Sequence, residues 1–280
     1  MWVRVPTAPL FIKKMESLEL KKTLKEIGKA IHSMNTIAVA LSKLNEGDCS
    51  VPNGLDISLS PADLENSKKT ARNYIERASI IYSVESFFEY IDSISKNPFW
   101  LDENIHFKGD EKKSEKVSFF LSQIPNIPEE VQILCELACH WRNKIVHANS
   151  SNAKLSSRKI GKLKEKRNFI IENYYHFDID IALKNFEENK ITLKDSSTLI
   201  TMLIKSVRLI DNFFFENLFL PTSQEKLIEE LNKKDDFIKI QKEQPSKKRD
   251  RQFSTYIKMT YPFLEKEIFD KLITIIKTCL

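Results

Sequence analysis

The sequence predicts an all-α protein, and three observations carry that reading. Apolar residues make up 41% of the 280, enough for a core, while Gly occurs only five times. Scarce Gly leaves little material for tight turns, and plentiful Lys, Glu, Leu and Ile favour helix. Leu20, Leu24, Ile27, Ile31, Met34, Ala38 and Leu41 step alternately by four and three, the stripe of a helix. "SSTLITMLIKSVRLIDNFFFENLF" reads as a second, strongly apolar helix.

Taken in order, the first helix covers roughly 15–45, and its stripe reads as a bundle helix packed on its own domain rather than an intermolecular coiled coil. "NEGDCSVPNGLDISLS", 45–60, is a loop by its Gly, Pro, Asn and Asp. "SPAD" then starts a helix, with Ser60 at N-cap, Pro61 at N1 and Asp63 at N3. That helix runs to about Ser95, and Ile75, Ala78, Ile81, Tyr82, Phe88 and Ile91 form its apolar face. The Lys- and Glu-rich 102–116 segment is a loop or a short solvated helix. Pro128 opens the next helix, with Glu129 and Glu130 at the positive end of its dipole. Val131, Leu134, Ala138, Trp141 and Ile145 share one of its faces. Residues 150–168 form a polar, basic connector, and "KITL" is a candidate extended piece. After Pro221, helices at about 222–242 and 254–279 flank "QPSKKRDR". This divides the chain into an N-terminal helical extension (1–60), a central helical domain (61–221) and a C-terminal helical extension (222–280), with no internal repeat.

A net charge of +5 and a pI near 8.8 are compatible with a nucleic-acid partner without requiring one. Four Cys without dense spacing point to free thiols in a reducing compartment. The first residues hold too short an apolar run for a secretory signal. Glu216 interrupts "NFFFENLFL", and no uncharged apolar stretch reaches membrane-spanning length. A cytoplasmic protein without a membrane partner is the expectation. Five Gly also leave no P-loop, no dinucleotide fingerprint and no nucleophile elbow.

"CHWRNKIVHANS", 139–150, concentrates the chemistry, with two of the five histidines. Asn143 and His147 lie at i and i+4 and share a face. On a straight helix Arg142 points about 140° away from His147. The two meet only if the long Arg reaches round, if the helix loosens near His147, or if two copies face each other across a dimer. A helix C-terminus favours the protonated imidazole. A proton-transferring His beside a guanidinium suits phosphodiester chemistry: Arg holds developing negative charge and His moves a proton. The RNA's own 2′-hydroxyl is then the nucleophile and no metal or cofactor is required. An ordinary solvated helix end is the bland alternative.

Cys135, Cys139, His140 and His147 raise the question of a metal, but no second convergent pair completes four ligands, and buried Cys acting as small hydrophobes is the better reading. His140 shares a face with His147 and is a minor candidate; His32, His106 and His176 have no partner visible in sequence. The basic runs at 158–167 and 247–251 are candidate phosphate contacts, though solvated loops fit them better.

Arg142-Asn143-Lys144-Ile145-Val146-His147 resembles the Arg-Asn-x-x-x-His signature of HEPN domains. "ASIIYSVESFFEYIDSI", 78–94, is similar to their first long helix, with Glu85 and Phe87 matching its Glu and aromatic. "RNKIVHANS" and "FEENKITLKDSSTLITMLIKSVRLIDNFF" resemble the motif turn and the closing segment, so the likeness spans roughly 65–220. It implies a four- or five-helix bundle that dimerises, with two Arg–His pairs lining a shared cleft. It also implies a metal-independent endoribonuclease of toxin, abortive-infection or antiviral type, with RNA as substrate and a possible antitoxin or defence-system partner protein. Residue by residue, His147 is implied as general acid or base, Arg142 as ligand of the scissile phosphate, and Asn143 as orienting that phosphate or His147. Glu85 either anchors Arg142, fixes the His147 tautomer, or is an ordinary surface Glu. The competing expectations are a non-catalytic dimerisation or partner-binding module, and a nucleic-acid-binding regulator using the basic loops.

Overall fold

Ser17 is extended and its side chain accepts a hydrogen bond from the Leu20 N–H at 2.9 Å, starting helix α1, Leu18–Lys43. The computed structural model describes residues 16–45, 53–56, 63–95, 113–147, 154–218, 225, 228–261 and 266–279. Every element among them is helical. Leu20, Ile27 and Met34 of the predicted stripe are buried and Leu24 and Ile31 half-buried, because α1 lies along α2 (Leu64–Ser95) and touches α8 (Leu193–Leu218).

α2 starts later than "SPAD" suggests. Asp63 is itself the cap, its Oδ1 accepting from the Asn66 N–H at 2.9 Å; Ser60 and Pro61 lie outside the described residues. Its buried face is also rotated from the predicted one. Ile80, Val84, Phe87, Ile91 and Ile94 are buried, Ile75, Ala78, Ile81 and Phe88 only half-buried, and Tyr82 is exposed. The small Ser79 and Ser83 sit on the buried side, where α1, α4 and α8 crowd the helix; hydrophobicity alone misplaced the stripe.

After α3, Lys113–Ser122, the chain turns into α4, Glu129–Val146, with Pro128 at its N-cap. Residues 130–141 of α4 are buried on nearly every side, since α2, α3 and α8 all pack on it. Trp141 is fully buried and meets Phe186 edge-on at 5.0 Å. Cys135 and Cys139 belong to this core; Cys135 Sγ lies 3.1 Å from Ser206 Oγ, and burial pushes its thiol up to about 12.

The expected polar connector at 150–168 is mostly helical from Ser157 onward. Ser156 opens α5, Ser157–Glu165, and α6, Arg167–Asn173, follows directly. Leu163 and Ile170 enter the core, and the lysines that made the segment look solvated pair with acids of the neighbouring helices. Asp178 caps α7, Ile179–Glu187. "KITL" is a helix start rather than a strand. The Thr192 N–H donates to Asp195 Oδ2 at 3.0 Å and the Asp195 N–H to Thr192 Oγ1 at 3.2 Å, a reciprocal capping box that opens α8.

The C-terminal segment contains α9 (Asp235–Gln241), α10 (Lys247–Thr260) and α11 (Lys266–Cys279), with α10 packed on both neighbours. The basic part of "QPSKKRDR" is the first turn of α10, capped by Ser246, rather than a separator. Among the described residues no helix is long and apolar enough to cross a membrane.

Candidate active site

α4 loses its helical conformation at His147. The His147 N–H still closes the last turn on the Asn143 carbonyl at 2.9 Å, but its φ of −119° and ψ of 88° turn the chain away. This end brings together what a straight helix separates: Arg142 Nη1 lies 3.5 Å from His147 Nε2 within one chain. The contact is a hydrogen bond only while Nε2 is unprotonated, since a guanidinium has no acceptor to offer. His147 is exposed, not sealed in apolar contacts, and Arg142 is mostly covered, with 16% of its side chain exposed.

Two neighbours fix the guanidinium. Its Nε donates to Glu85 Oε1 on α2 at 2.6 Å, and Nη1 also donates to Asn143 Oδ1 at 3.2 Å. Of the roles open to Glu85, the geometry provides contact with Arg142. Asn143 likewise reaches Arg142. Phe87, the aromatic beside Glu85, faces the core and not the site. Partial burial alone would raise the Glu85 carboxyl. The hydrogen bond from Lys113, the charges of Arg142 and Lys113, and the hydrogen bond from Arg142 together outweigh it and hold the carboxyl below its ordinary value.

Lys113, at the start of α3, is the residue that sequence reasoning missed. Its Nζ donates to Glu85 Oε2 at 2.8 Å and stands 4.7 Å from the centre of the Phe88 ring. Nothing in its Lys-rich surroundings distinguishes it, because the contact joins residues 28 positions apart. Lys144, inside the motif, points elsewhere. Its Nζ donates to the Phe186 carbonyl, and to that of Glu187 at 3.2 Å, tying the end of α4 to the C-terminus of α7.

The remaining candidates are drawn into the fold. His140 is buried, with Nε2 3.6 Å from Glu136 Oε1, and Glu136 also pairs with Lys159. His32 and His176 are exposed, and His106 lies outside the described residues. Among the described residues no three His, Cys, Asp or Glu side chains cluster as metal ligands. The first basic run is largely occupied. Lys159 pairs with Glu136, Lys162 with Glu129, Lys166 with Glu130 at 2.7 Å, Lys164 with Asp180 at 3.5 Å, and Arg167 with Asp178 at 2.5 Å. In the second run Lys248 pairs with Glu243 at 3.8 Å, Arg249 Nη1 donates to the Glu243 carbonyl at 3.4 Å, and Asp250 holds Lys277 at 2.8 Å.

An exposed imidazole against an anchored guanidinium has the groups needed to move a proton beside a stabilised oxyanion. No family model, curated protein or solved structure matches this chain.

Proposed function

We propose that this chain is a HEPN-type, metal-independent endoribonuclease that acts as a homodimer in a prokaryotic toxin or antiviral defence system. The observation that carries the reading is the 3.5 Å approach of Arg142 to an exposed His147, with Glu85 clamping the guanidinium from α2. In this reading the 2′-hydroxyl of a bound RNA attacks the adjacent phosphorus. His147 takes the hydroxyl proton or protonates the departing 5′-oxygen, and Arg142 holds the charge that builds on the non-bridging oxygens. The products are a 2′,3′-cyclic phosphate and a 5′-hydroxyl. In the dimer, two such pairs line one cleft, and a partner protein restrains or triggers them.

The test is paired expression of wild type and His147→Ala in bacteria, with total RNA sequenced for new 5′ ends. Discrete cuts and toxicity that vanish in the variant are expected. With purified protein, His147→Ala lowers cleavage about a hundredfold or more, the usual worth of a general acid or base. Folded, dimeric wild type that cuts no RNA, in cells under phage challenge or in the tube, sinks the reading.

One observation favours a second reading, a non-catalytic helical interaction module. Glu85 binds Arg142 of α4 and Lys113 of α3 at once, so the three residues also work as a staple between α2, α3 and α4. Under that reading His147→Ala changes neither RNA nor toxicity, and Glu85→Ala loosens the bundle.

A further inference from the structure

Glu85 serves two cations from two different helices, Arg142 Nε on Oε1 at 2.6 Å and Lys113 Nζ on Oε2 at 2.8 Å. One carboxylate cannot neutralise both, so the trio of Arg142, Glu85 and Lys113 carries a net positive charge before His147 is counted. The Arg142 side chain is largely covered and faces His147, whereas the Lys113 side chain is 45% exposed. An exposed lysine ordinarily samples many rotamers, and ordering it costs free energy at the moment of binding. Lys113 already has contacts that favour one position, the carboxylate at its tip and the Phe88 ring 4.7 Å from its ammonium. An ammonium has three donors, and Glu85 accepts one. It is a compact point charge, suited to a phosphate that needs holding but no planar, two-pronged recognition. A nucleic-acid strand presents its phosphates in series. A strand whose scissile phosphate lies between Arg142 and His147 can offer a neighbouring phosphate to Lys113 of α3, the cation on the other oxygen of Glu85.

We infer that Lys113 binds the phosphate adjacent to the scissile one, so that the substrate is a strand with at least two consecutive phosphodiesters. This rests on the ribonuclease reading above. Lys113 is a substrate-binding residue here, and Glu85 sets the spacing between the two phosphate sites.

The experiment uses a short single-stranded oligoribonucleotide carrying one cleavage position mapped with the wild-type protein. The phosphate on one or the other side of the cut is replaced by an uncharged methylphosphonate. One of the two replacements raises the wild-type KM about tenfold, the size of one charge-assisted contact. Lys113→Ala raises KM for the unmodified strand by a similar factor, and the two changes combined cost little more than either alone. Lys113→Ala also lowers the log–log salt slope of KM by about one, as loss of one phosphate contact requires, and Lys113→Arg restores KM. If Lys113→Ala lowers kcat alike on all three strands, or if its effect multiplies with both replacements, Lys113 acts only through Glu85 and the inference is overturned. Failure of the ribonuclease reading looks different, because no cleavage position can then be mapped with the wild-type protein, and the inference falls with it.

Discussion

At the residue scale, the site depends on one carboxylate doing an electrostatic job at its neighbours' expense. Glu85→Gln keeps the shape and one acceptor but removes the charge between Arg142 and Lys113. The guanidinium then loses the charge that holds it, and under the ribonuclease proposal kcat for RNA is expected to fall by up to about a hundredfold, the cost of slight misplacement at the reacting centre. KM measured in the same assay separates this from loss of Lys113. The sign of the pH effect is fixed too. A carboxyl held below its ordinary 4.5 contributes fully above that value, and the contribution is lost as pH falls through the lowered one. A decline in activity already visible above pH 4.5 therefore comes from another group; the measurement is kcat against pH for wild type and Glu85→Gln. The sequence singles out Arg142, Asn143, His147 and Glu85 as candidates, because a short motif keeps three of them within six positions and the fourth precedes an aromatic, and the fold brings the four together. Lys113 is not among them, since its role exists only once α2 and α3 are packed.

At the scale of elements, charge decides how α5 and α6 sit, and the pairs differ in worth. Lys162 and Glu129 are both part-exposed, and Lys162→Ala is expected to cost less than about 1 kcal/mol. Glu130 is 3% exposed and accepts from Lys166 at 2.7 Å and from the Tyr174 hydroxyl at 2.9 Å. Glu130→Ala strands the buried hydroxyl, although the half-exposed Lys166 recovers water, and about 2 kcal/mol of stability is the expected loss. Urea unfolding of the two variants checks the ordering; equal losses would show the ladder acting as a unit. The sequence concealed this, because a run of lysines looks the same whether its counter-ions are solvent or the next helix. It concealed the orientation of α2 for a related reason: Ser79 and Ser83 are buried by neighbours that no periodicity reveals. The helices with long apolar stripes, α1, α4 and α8, are readable because local hydrophobic periodicity and tertiary burial agree in them.

For the whole molecule, acids held by partners and acids raised by burial pull the stability profile in two directions. Glu130, Glu136 and Asp178 are held below their ordinary values by partners that outweigh burial, so their contribution is lost in acid. Glu76 behaves oppositely. Burial, reinforced by Asp195 and opposed by Arg72, raises it from 4.5 to about 7. A raised carboxyl stabilises the fold fully below 4.5, and the contribution is lost as pH climbs through about 7. Wild type is therefore expected to lose stability between about pH 5 and pH 8. Glu76→Gln is expected to flatten that limb, and denaturant melts at the two pH values test it. Another buried polar cluster sets a timetable. Ser17 reaches across 194 positions to Asp211, its N–H donating to Oδ2 at 3.0 Å, and the Tyr90 hydroxyl joins at 3.2 Å. On a ribosome, α1 is thus made long before the carboxylate that receives it. Glu85 and Arg142 likewise emerge ahead of α8, on which both their helices lean. A half-made chain can hold the whole motif and still lack the platform that aligns it, so Glu85 and Arg142 meet in their final geometry only after synthesis has passed α8.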